Sequence, residues 1–135
     1  MTELFRQIDH IGIAVFDIDR ALELYRDRMG MRPGLRRKIE AEKVEVQFLE
    51  LPGTKIELLA PTADDSPIAR FLARRGEGLH HITYAVADVA LALAELAARG
   101  IEAIDQEPRP GAEGKDVAFL YPKSAGGVLV ELQSE

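Results

Sequence analysis

The stretch Gly78–Val86, GLHHITYAV, decides the fold, because a related stretch, Ile8–Val15 (IDHIGIAV), stands near the N-terminus. When the two are aligned, His10 falls on His81, 71 residues later. Both stretches alternate with a period of two, which predicts two β-strands that each carry a histidine on one face. A repeat of this size predicts a pseudo-symmetric structure built from two modules.

The repeat extends beyond the histidines. Asp17 aligns with Asp88, and an amphipathic segment follows each, so both aspartates are predicted helix N-caps. Farther along, Glu57 in KIELLAP matches Glu131 in VLVELQS, 74 residues later. Each module therefore supplies one histidine and one glutamate.

Module one, about residues 7–60, is predicted to have the order βαβββ. Its helix begins after Asp17 and ends before Gly30, and its apolar stripe consists of Ile18, Ala21, Leu22, Tyr25 and Met29. Three strands are predicted to follow, over Arg32–Ala41, Val44–Leu51 and Thr54–Ala60.

A linker, residues 61–77, is predicted to contain a short helix that Ser66 caps and Pro67 begins. Module two, about residues 78–133, repeats the order βαβββ. Its helix ends near Arg99, and its later strands are predicted over Ile101–Gln106, Val117–Tyr121 and Val128–Gln133. The whole chain, residues 1–135, is thus expected to form a single α+β domain.

Composition excludes several classes of function. The absence of cysteine rules out disulfides, thiolate catalysis and cysteine-ligated zinc. A net charge of −6 argues against nucleic-acid binding, which needs a basic face. No apolar run approaches the length of a membrane span, and the N-terminus lacks a signal-peptide pattern. We therefore expect a cytoplasmic protein that binds neither nucleic acid nor membranes.

The repeated histidines and glutamates are the candidates for chemistry. Alternation points His81 to the same face as Thr83, and it points Glu57 and Glu131 away from their apolar neighbours. Two imidazoles and two carboxylates suit a divalent ion that keeps open coordination positions. Taken singly, a strand histidine is more often a hydrogen-bonded core residue, and a strand glutamate is more often solvated. Their recurrence in both halves favours a metal site.

The βαβββ repeat with one histidine and one glutamate per module resembles the vicinal oxygen chelate superfamily. Within it, the chain is similar to the methylmalonyl-CoA epimerase family in five stretches: IDHIGIAV, KIELLAP, SPIARFLARRGEGLHHITYAV, ARGIEAIDQEPRPG and PKSAGGVLVEL. The resemblance implies the vicinal oxygen chelate fold, a curled and mostly antiparallel sheet with helices on its outside. It also implies a metal-dependent enzyme that interconverts (R)- and (S)-methylmalonyl-CoA through an enolate.

The resemblance assigns roles by position. Its metal ligands fall on His10, Glu57, His81 and Glu131, and its implied cofactor is one divalent ion, cobalt first, with manganese, nickel or zinc as alternatives. Inversion needs an acid or base on each face of the planar intermediate, and Glu131 and Glu57 are the candidates. Where some family members have a further glutamate, proposed as a base, this chain has Val46. That role is therefore not transferred.

Four further residues are candidates for holding the substrate, an acyl-CoA thioester. Arg36 and Arg37 belong to a basic run whose charge suits the CoA phosphates, although charge runs on strands are usually solvated. Gln47 stands beside Val46, and Lys123 lies in the family-like stretch PKS.

Two other functions remain open. One is a glyoxalase-type lyase, since that branch of the superfamily also uses a His/Glu site, and the other is a non-catalytic small-molecule binding protein on the same scaffold. The stretch PKSAGGVLVEL favours the epimerase, and four retained ligand-type residues count against the binding protein. A homodimer and a place in propionate metabolism are further implications of the resemblance.

Overall fold

The structure is a computed structural model that describes residues 3–135. The chain divides into two compact units, a first unit of His10–His80 and a second unit of residues 3–9 with His81–Glu135. One boundary lies inside strand β1 (Phe5–Ala14) and the other inside strand β5 (Gly78–Val86). Each unit therefore carries one of the two repeated histidines.

The first unit has the predicted order βαβββ, followed by one more helix. After β1 come α1 (Ile18–Leu22), β2 (Arg32–Ile39), β3 (Val44–Leu51), β4 (Thr54–Pro61) and α2 (Pro67–Arg75). The strands lie in the order β2-β3-β4-β1. β1 runs parallel to β4, whereas the β2–β3 and β3–β4 pairs are antiparallel. The mostly antiparallel sheet of the prediction is confirmed for this unit.

Helices cover both faces of this sheet, because its strands present apolar residues on both sides. On one face, Ile18 and Leu22 of α1 pack against Leu49 and Leu58. On the other face, α2 completes a second cluster, formed by Ala14, Val44, Val46, Phe48, Leu59, Ile68 and Leu72. Burying each large aliphatic side chain stabilises the unit by about 1.5–3 kcal/mol. The helix of the predicted linker is thus part of the packed first unit.

The first helix begins as predicted but ends differently. The Asp17 carboxylate accepts a hydrogen bond from the Arg20 N–H, which confirms the N-cap. The second half of the helix widens into a π-type segment, Glu23–Arg28, where the N–H of Met29 donates to the carbonyl of Leu24. The prediction that Met29 belongs to the apolar stripe is wrong. The wider turn changes its angular position, and it is 59% exposed.

The second unit repeats the strand arrangement of the first. After β5 come α3 (Val89–Ala98), β6 (Arg109–Pro110), β7 (Asp116–Leu120) and β8 (Val130–Ser134), and the strands lie in the order β5-β8-β7-β6. β5 runs parallel to β8, as β1 does to β4, and the other pairs are antiparallel. Asp88 caps α3, and that helix packs on one face of the sheet, against residues that include Val86, Ala118 and Leu132.

The strand predicted over Ile101–Gln106 does not form. Ala103 makes an isolated bridge to Leu120, and the Asp105 carboxylate accepts a hydrogen bond from the Phe119 N–H at 2.8 Å. A side chain therefore takes the acceptor position that a backbone carbonyl would hold in a regular ladder. The second strand of this unit is instead the short β6, which lies between the segments predicted as strands over Ile101–Gln106 and Val117–Tyr121.

The α+β class and the repeated βαβββ order are confirmed, with the second strand of the second unit displaced along the chain. That the two units together form one domain over residues 1–135 stays a prediction. Among residues 3–135, no helix combines the length and the apolar character needed to cross a membrane.

Candidate functional site

The first unit contains a buried imidazole–carboxylate pair on neighbouring parallel strands. The Nε2 atom of His10 on β1 lies 3.2 Å from the Oε2 atom of Glu57 on β4. The register places Gly12, two residues after His10, opposite Glu57. Only 2% of His10 and 6% of Glu57 is exposed. A carboxylate buried to this degree needs a charged or hydrogen-bonding partner, and the imidazole is one.

The second unit contains the equivalent pair. The Nε2 atom of His81 on β5 lies 3.4 Å from the Oε1 atom of Glu131 on β8. Here the register places Thr83, two residues after His81, opposite Glu131. Both side chains of the pair are buried. The matched positions in the sequence therefore correspond to matched pairs in three dimensions, one in each unit.

The separations within the pairs are those of two ligands on one ion. Nitrogen and oxygen donors that each lie about 2.1 Å from a zinc-sized ion are about 3.0 Å apart at a right angle and about 3.4 Å apart at the tetrahedral angle. The observed separations are 3.2 and 3.4 Å. Imidazole nitrogen and carboxylate oxygen also match the donor types that borderline divalent ions take. The residues present in each unit therefore fit a divalent metal.

The surroundings of the two pairs differ. In the first unit, Glu57 shares its sheet face with the apolar side chains of Phe48 and Leu59 and with Gly12. In the second unit, Glu131 shares its face with Thr83 and Phe119. The Phe119 ring lies edge-on to the His81 imidazole, with 5.9 Å between ring centroids. The two units thus resemble each other more closely in the histidine and the glutamate than in the residues around them.

Thr83 is a functional candidate that the motifs did not identify. It is fully buried, and its hydroxyl donates a hydrogen bond of 2.6 Å to Oε1 of Glu131. The available signal in the sequence was alternation, which places Thr83 on the His81 face. Its partner could not be predicted, because that contact depends on the register of β5 against β8.

A second unpredicted feature is an arginine that lies against Phe119, the residue paired with Glu131 across β7 and β8. Arg109 donates from Nε to the Asp105 carboxylate at 3.1 Å, and its guanidinium lies 5.4 Å from the centroid of the Phe119 ring. Asp105 also binds the Phe119 backbone, so one carboxylate connects the arginine to β7.

Two residues beyond Glu131, the Gln133 side chain is 96% buried, and its Nε2 has no hydrogen-bond partner among residues 3–135.

Two of the four substrate-binding candidates are engaged by other parts of the first unit. Arg36 donates to Asp19 at 2.7 Å and to Glu45 at 3.1 Å, and the hydrogen bond and charge of Arg36 hold the pKa of Asp19 below its usual value. Gln47 is buried, and its amide donates to the carbonyls of Gly34 and Phe48. Arg36 is paired with Gln47, and Gln47 is paired with Leu58, the neighbour of Glu57 on β4. Arg36 and Gln47 therefore lie on the sheet face opposite Glu57.

The other two candidates are exposed. Arg37 is paired with Val46 across β2 and β3, and Val46 is paired with Leu59 on β4, so Arg37 lies on the face of Glu57. Lys123 lies in a short 3₁₀ turn, Pro122–Ser124, between β7 and β8. The chain thus brings together the His–Glu pairs within each unit, while the roles of Arg36, Arg37, Gln47 and Lys123 in substrate binding stay predictions.

Known proteins resemble the chain over nearly its whole length. Residues 9–119 match the family described as the Glyoxalase/Bleomycin resistance protein/Dioxygenase superfamily. The chain is 42% identical over 129 residues to an ethylmalonyl-CoA/methylmalonyl-CoA epimerase of Cereibacter sphaeroides, with 94% of this chain and 96% of the relative covered.

Solved structures extend the similarity to three dimensions. The methylmalonyl-CoA epimerase of Mycobacterium tuberculosis matches with a TM-score of 0.90 at 34% identity, covering 99% of this chain and 91% of that one. A methylmalonyl-CoA epimerase in complex with methylmalonyl-CoA and NH4+ matches with a TM-score of 0.89 at 37% identity, covering 98% and 96%. The similarity therefore extends over both units.

Proposed function

The chain belongs to the glyoxalase/bleomycin resistance protein/dioxygenase superfamily, and we propose that within it the chain is a methylmalonyl-CoA epimerase. The resemblance to that family expected from the motifs is confirmed by a relative at 42% identity and a solved structure at 37%. The reaction interconverts (R)- and (S)-methylmalonyl-CoA by moving the proton at C2. The observation that carries the proposal is the pair of matched, buried His–Glu contacts, each on two parallel strands.

The family and the buried donor atoms indicate a divalent metal ion as cofactor. We assign His10, Glu57, His81 and Glu131 as its ligands, and the assignment is supported by donor chemistry and by their repeated positions. When bound, such an ion supplies Lewis acidity that stabilises negative charge on the carbonyl oxygens of the substrate. Cobalt is the ion that the family resemblance favours, with manganese, nickel or zinc as alternatives. Elemental analysis of the purified protein distinguishes them.

The two glutamates are the proposed acid and base. One carboxylate accepts the proton as the C2–H bond breaks, and the electron pair of that bond passes into the thioester carbonyl to give a planar enolate. The other glutamate, protonated, donates its proton to the opposite face, so that a new C2–H bond forms and the configuration inverts. Glu131 and Glu57 suit these roles because each is buried beside an imidazole in an equivalent position.

The substrate is an acyl-CoA thioester, and its acceptance is supported by the similar epimerase solved with methylmalonyl-CoA. Among the four candidates for holding it, Arg37 and Lys123 are favoured over Arg36 and Gln47. Arg36 and Gln47 lie on the face opposite Glu57, whereas Arg37 is exposed on the face of Glu57 and Lys123 is exposed in the turn between β7 and β8.

The test of the function is exchange of the C2 proton of methylmalonyl-CoA for deuterium, followed by mass spectrometry, with metal-free protein and after addition of each divalent ion. Metal-dependent wash-in with epimerisation at C2 is the expected result. A glyoxalase-type lyase would instead convert a hemithioacetal and leave C2 unexchanged, and a binding protein would do neither.

From the family resemblance we also propose that the protein is a homodimer, that it is cytoplasmic and that it acts in propionate metabolism. Light scattering of the purified protein tests the homodimer. Fractionation of cells that produce the protein tests the location.

A further inference from the structure

The carboxylate of Glu131 is held by a hydroxyl that the sequence motifs do not assign to any role. Thr83 Oγ1 lies 2.6 Å from Glu131 Oε1, within the range of a hydroxyl that donates to a charged carboxylate. An ionised carboxylate only accepts hydrogen bonds, so the threonine is the donor. Both side chains are buried, Thr83 completely. The contact therefore persists without competition from bulk water.

The hydrogen bond restricts how the carboxylate can turn. The terminal torsion of a glutamate side chain is broad, so a carboxylate without a fixed donor samples many orientations. Oε1 of Glu131 is engaged by Thr83 at 2.6 Å and faces His81 Nε2 at 3.4 Å. Two groups on β5, two residues apart, thus hold the Oε1 atom of the carboxylate on β8.

The position equivalent to Thr83 in the first unit is a glycine. In the repeat, Thr83 corresponds to Gly12, 71 residues earlier, and Gly12 stands opposite Glu57 as Thr83 stands opposite Glu131. Glycine has no side chain, so it cannot donate to Glu57 from that position. The two glutamates are therefore equivalent in their place in the sheet and in their imidazole partner, but they differ in this donor.

We propose that Thr83 is a positioning residue for Glu131 and that it makes the two glutamates unequal in the reaction. The inference rests on the proposed epimerase function. Thr83 holds Oε1 of Glu131 through its hydroxyl, whereas the equivalent position in the first unit is Gly12, which has no hydroxyl. Removal of the hydroxyl impairs proton transfer on the face that Glu131 serves and leaves transfer on the other face nearly unchanged.

The experiment compares Thr83→Val, which keeps the shape and removes the hydroxyl, with Thr83→Ser, which keeps the hydroxyl. Thr62→Val is the matched control, because Thr62 is exposed and lies outside the pairs. Two properties are measured on each variant: the affinity of the metal-free protein for cobalt(II), and deuterium wash-in at C2 from each pure C2 epimer of methylmalonyl-CoA.

Groups that hold a metal ligand typically change metal affinity or activity by about 10-fold to 100-fold when they are removed. Thr83→Val is expected to weaken cobalt binding by about 10-fold and to slow wash-in from one C2 epimer at least about 10-fold more than from the other. The turnover number falls while KM stays nearly constant, because Thr83 positions Glu131 and does not bind substrate. Thr83→Ser and Thr62→Val are expected to behave like the wild type.

The proposal is overturned if Thr83→Val slows wash-in from the two C2 epimers equally. It is also overturned if that variant keeps the cobalt affinity and the exchange rates of the wild type. If Thr83→Val does not fold, as judged by circular dichroism, Thr83→Ala takes its place under the same criteria. Failure of the wild type to exchange C2 would refute the epimerase function instead. In that case the cobalt affinities of the valine and serine variants still decide whether Thr83 positions Glu131.

Discussion

Oε2 of Glu57 lies 3.2 Å from Nε2 of His10, and both side chains are more than nine-tenths buried. The same relationship holds between Glu131 and His81 in the second unit, at 3.4 Å. A buried carboxylate beside a neutral or charged imidazole is suited to bind a divalent ion and to exchange a proton.

Replacing His81 by alanine should remove the bound metal and the activity while the fold is retained. The imidazole is a proposed ligand, and the residues that pack α3 on the sheet lie on the other face. Elemental analysis, activity and circular dichroism provide the measurement. His80→Ala is the control, because His80 packs edge-on against Phe71. Full metal occupancy in His81→Ala would contradict the assignment.

Changing each glutamate to glutamine should separate ligand from base. Glutamine keeps an oxygen that can bind metal but cannot accept the proton in the same way. Each of Glu57→Gln and Glu131→Gln is expected to stop epimerisation and to spare deuterium wash-in from one C2 epimer, and the spared epimer should differ between the two variants. Metal content is checked in parallel. Complete epimerisation by metal-loaded Glu57→Gln would reduce Glu57 to a ligand and require another base.

The basic candidates should differ in their kinetic effects. Arg37→Met and Lys123→Met are expected to raise KM for methylmalonyl-CoA several-fold with little change in turnover, which is the result of losing uniform binding to the CoA tail. Arg36→Met is the comparison, since Arg36 is already bound to Asp19 and Glu45. It should leave KM nearly unchanged. Equal KM values for all three variants and the wild type would place these cations on the solvated surface.

The ion pair between Asp19 and Arg36 should make a small, pH-dependent contribution to stability. Arg36 lowers the pKa of Asp19 in the folded state through its hydrogen bond and its charge. A lowered folded-state pKa stabilises the protein above the unfolded value of about 3.9, and that stabilisation is lost as the pH falls through the folded-state pKa. The contribution is small because the pair is exposed to solvent.

Urea midpoints of the wild type and Asp19→Asn, measured from pH 7 downward, test this expectation. The wild type should be slightly more stable at pH 7, and the difference should disappear in acid. Asp64→Asn, at another exposed aspartate, controls for the loss of charge alone. A difference that grows toward low pH would have the wrong sign.

Removing the carboxylate of Asp105 should destabilise the second unit. Asp105 accepts hydrogen bonds from the Phe119 N–H and from Arg109, and Asp105→Ala would take the acceptor from both. The loss is expected to be about 1–3 kcal/mol in the free energy of unfolding. Urea denaturation measures it, with Asp116→Ala at the exposed start of β7 as control. Unchanged stability would mean that water replaces the carboxylate without loss.

Short-range patterns in the sequence determined much of the fold. The helix caps at Asp17, Ser66 and Asp88 follow from a side-chain oxygen placed before a helical segment, which is a local property. The faces of His10 and His81 follow from alternation along a single strand. The repeat indicated that each module carries one histidine and one glutamate, whereas their contact depends on the register of two parallel strands.

Other features were decided only by the tertiary structure. The segment over Ile101–Gln106 has the pattern of a strand, but the Asp105 side chain binds Phe119 and interrupts the ladder. Met29 fits an ideal helical stripe, yet the π-type turn exposes it. In both cases a hydrogen bond that the periodicity of the sequence does not encode changed the local geometry.

The contact between Thr83 and Glu131 shows the same limit most clearly. The sequence determined that each residue lies on the polar face of its own strand, because neighbouring side chains in a strand point to opposite sides. It could not determine that they meet, since they are 48 residues apart and their contact depends on the register of two parallel strands. That register is set by the packing of Val86, Val130 and Leu132 under α3. Tertiary packing therefore decided which residue supports the carboxylate, while the sequence alone had already identified the carboxylate.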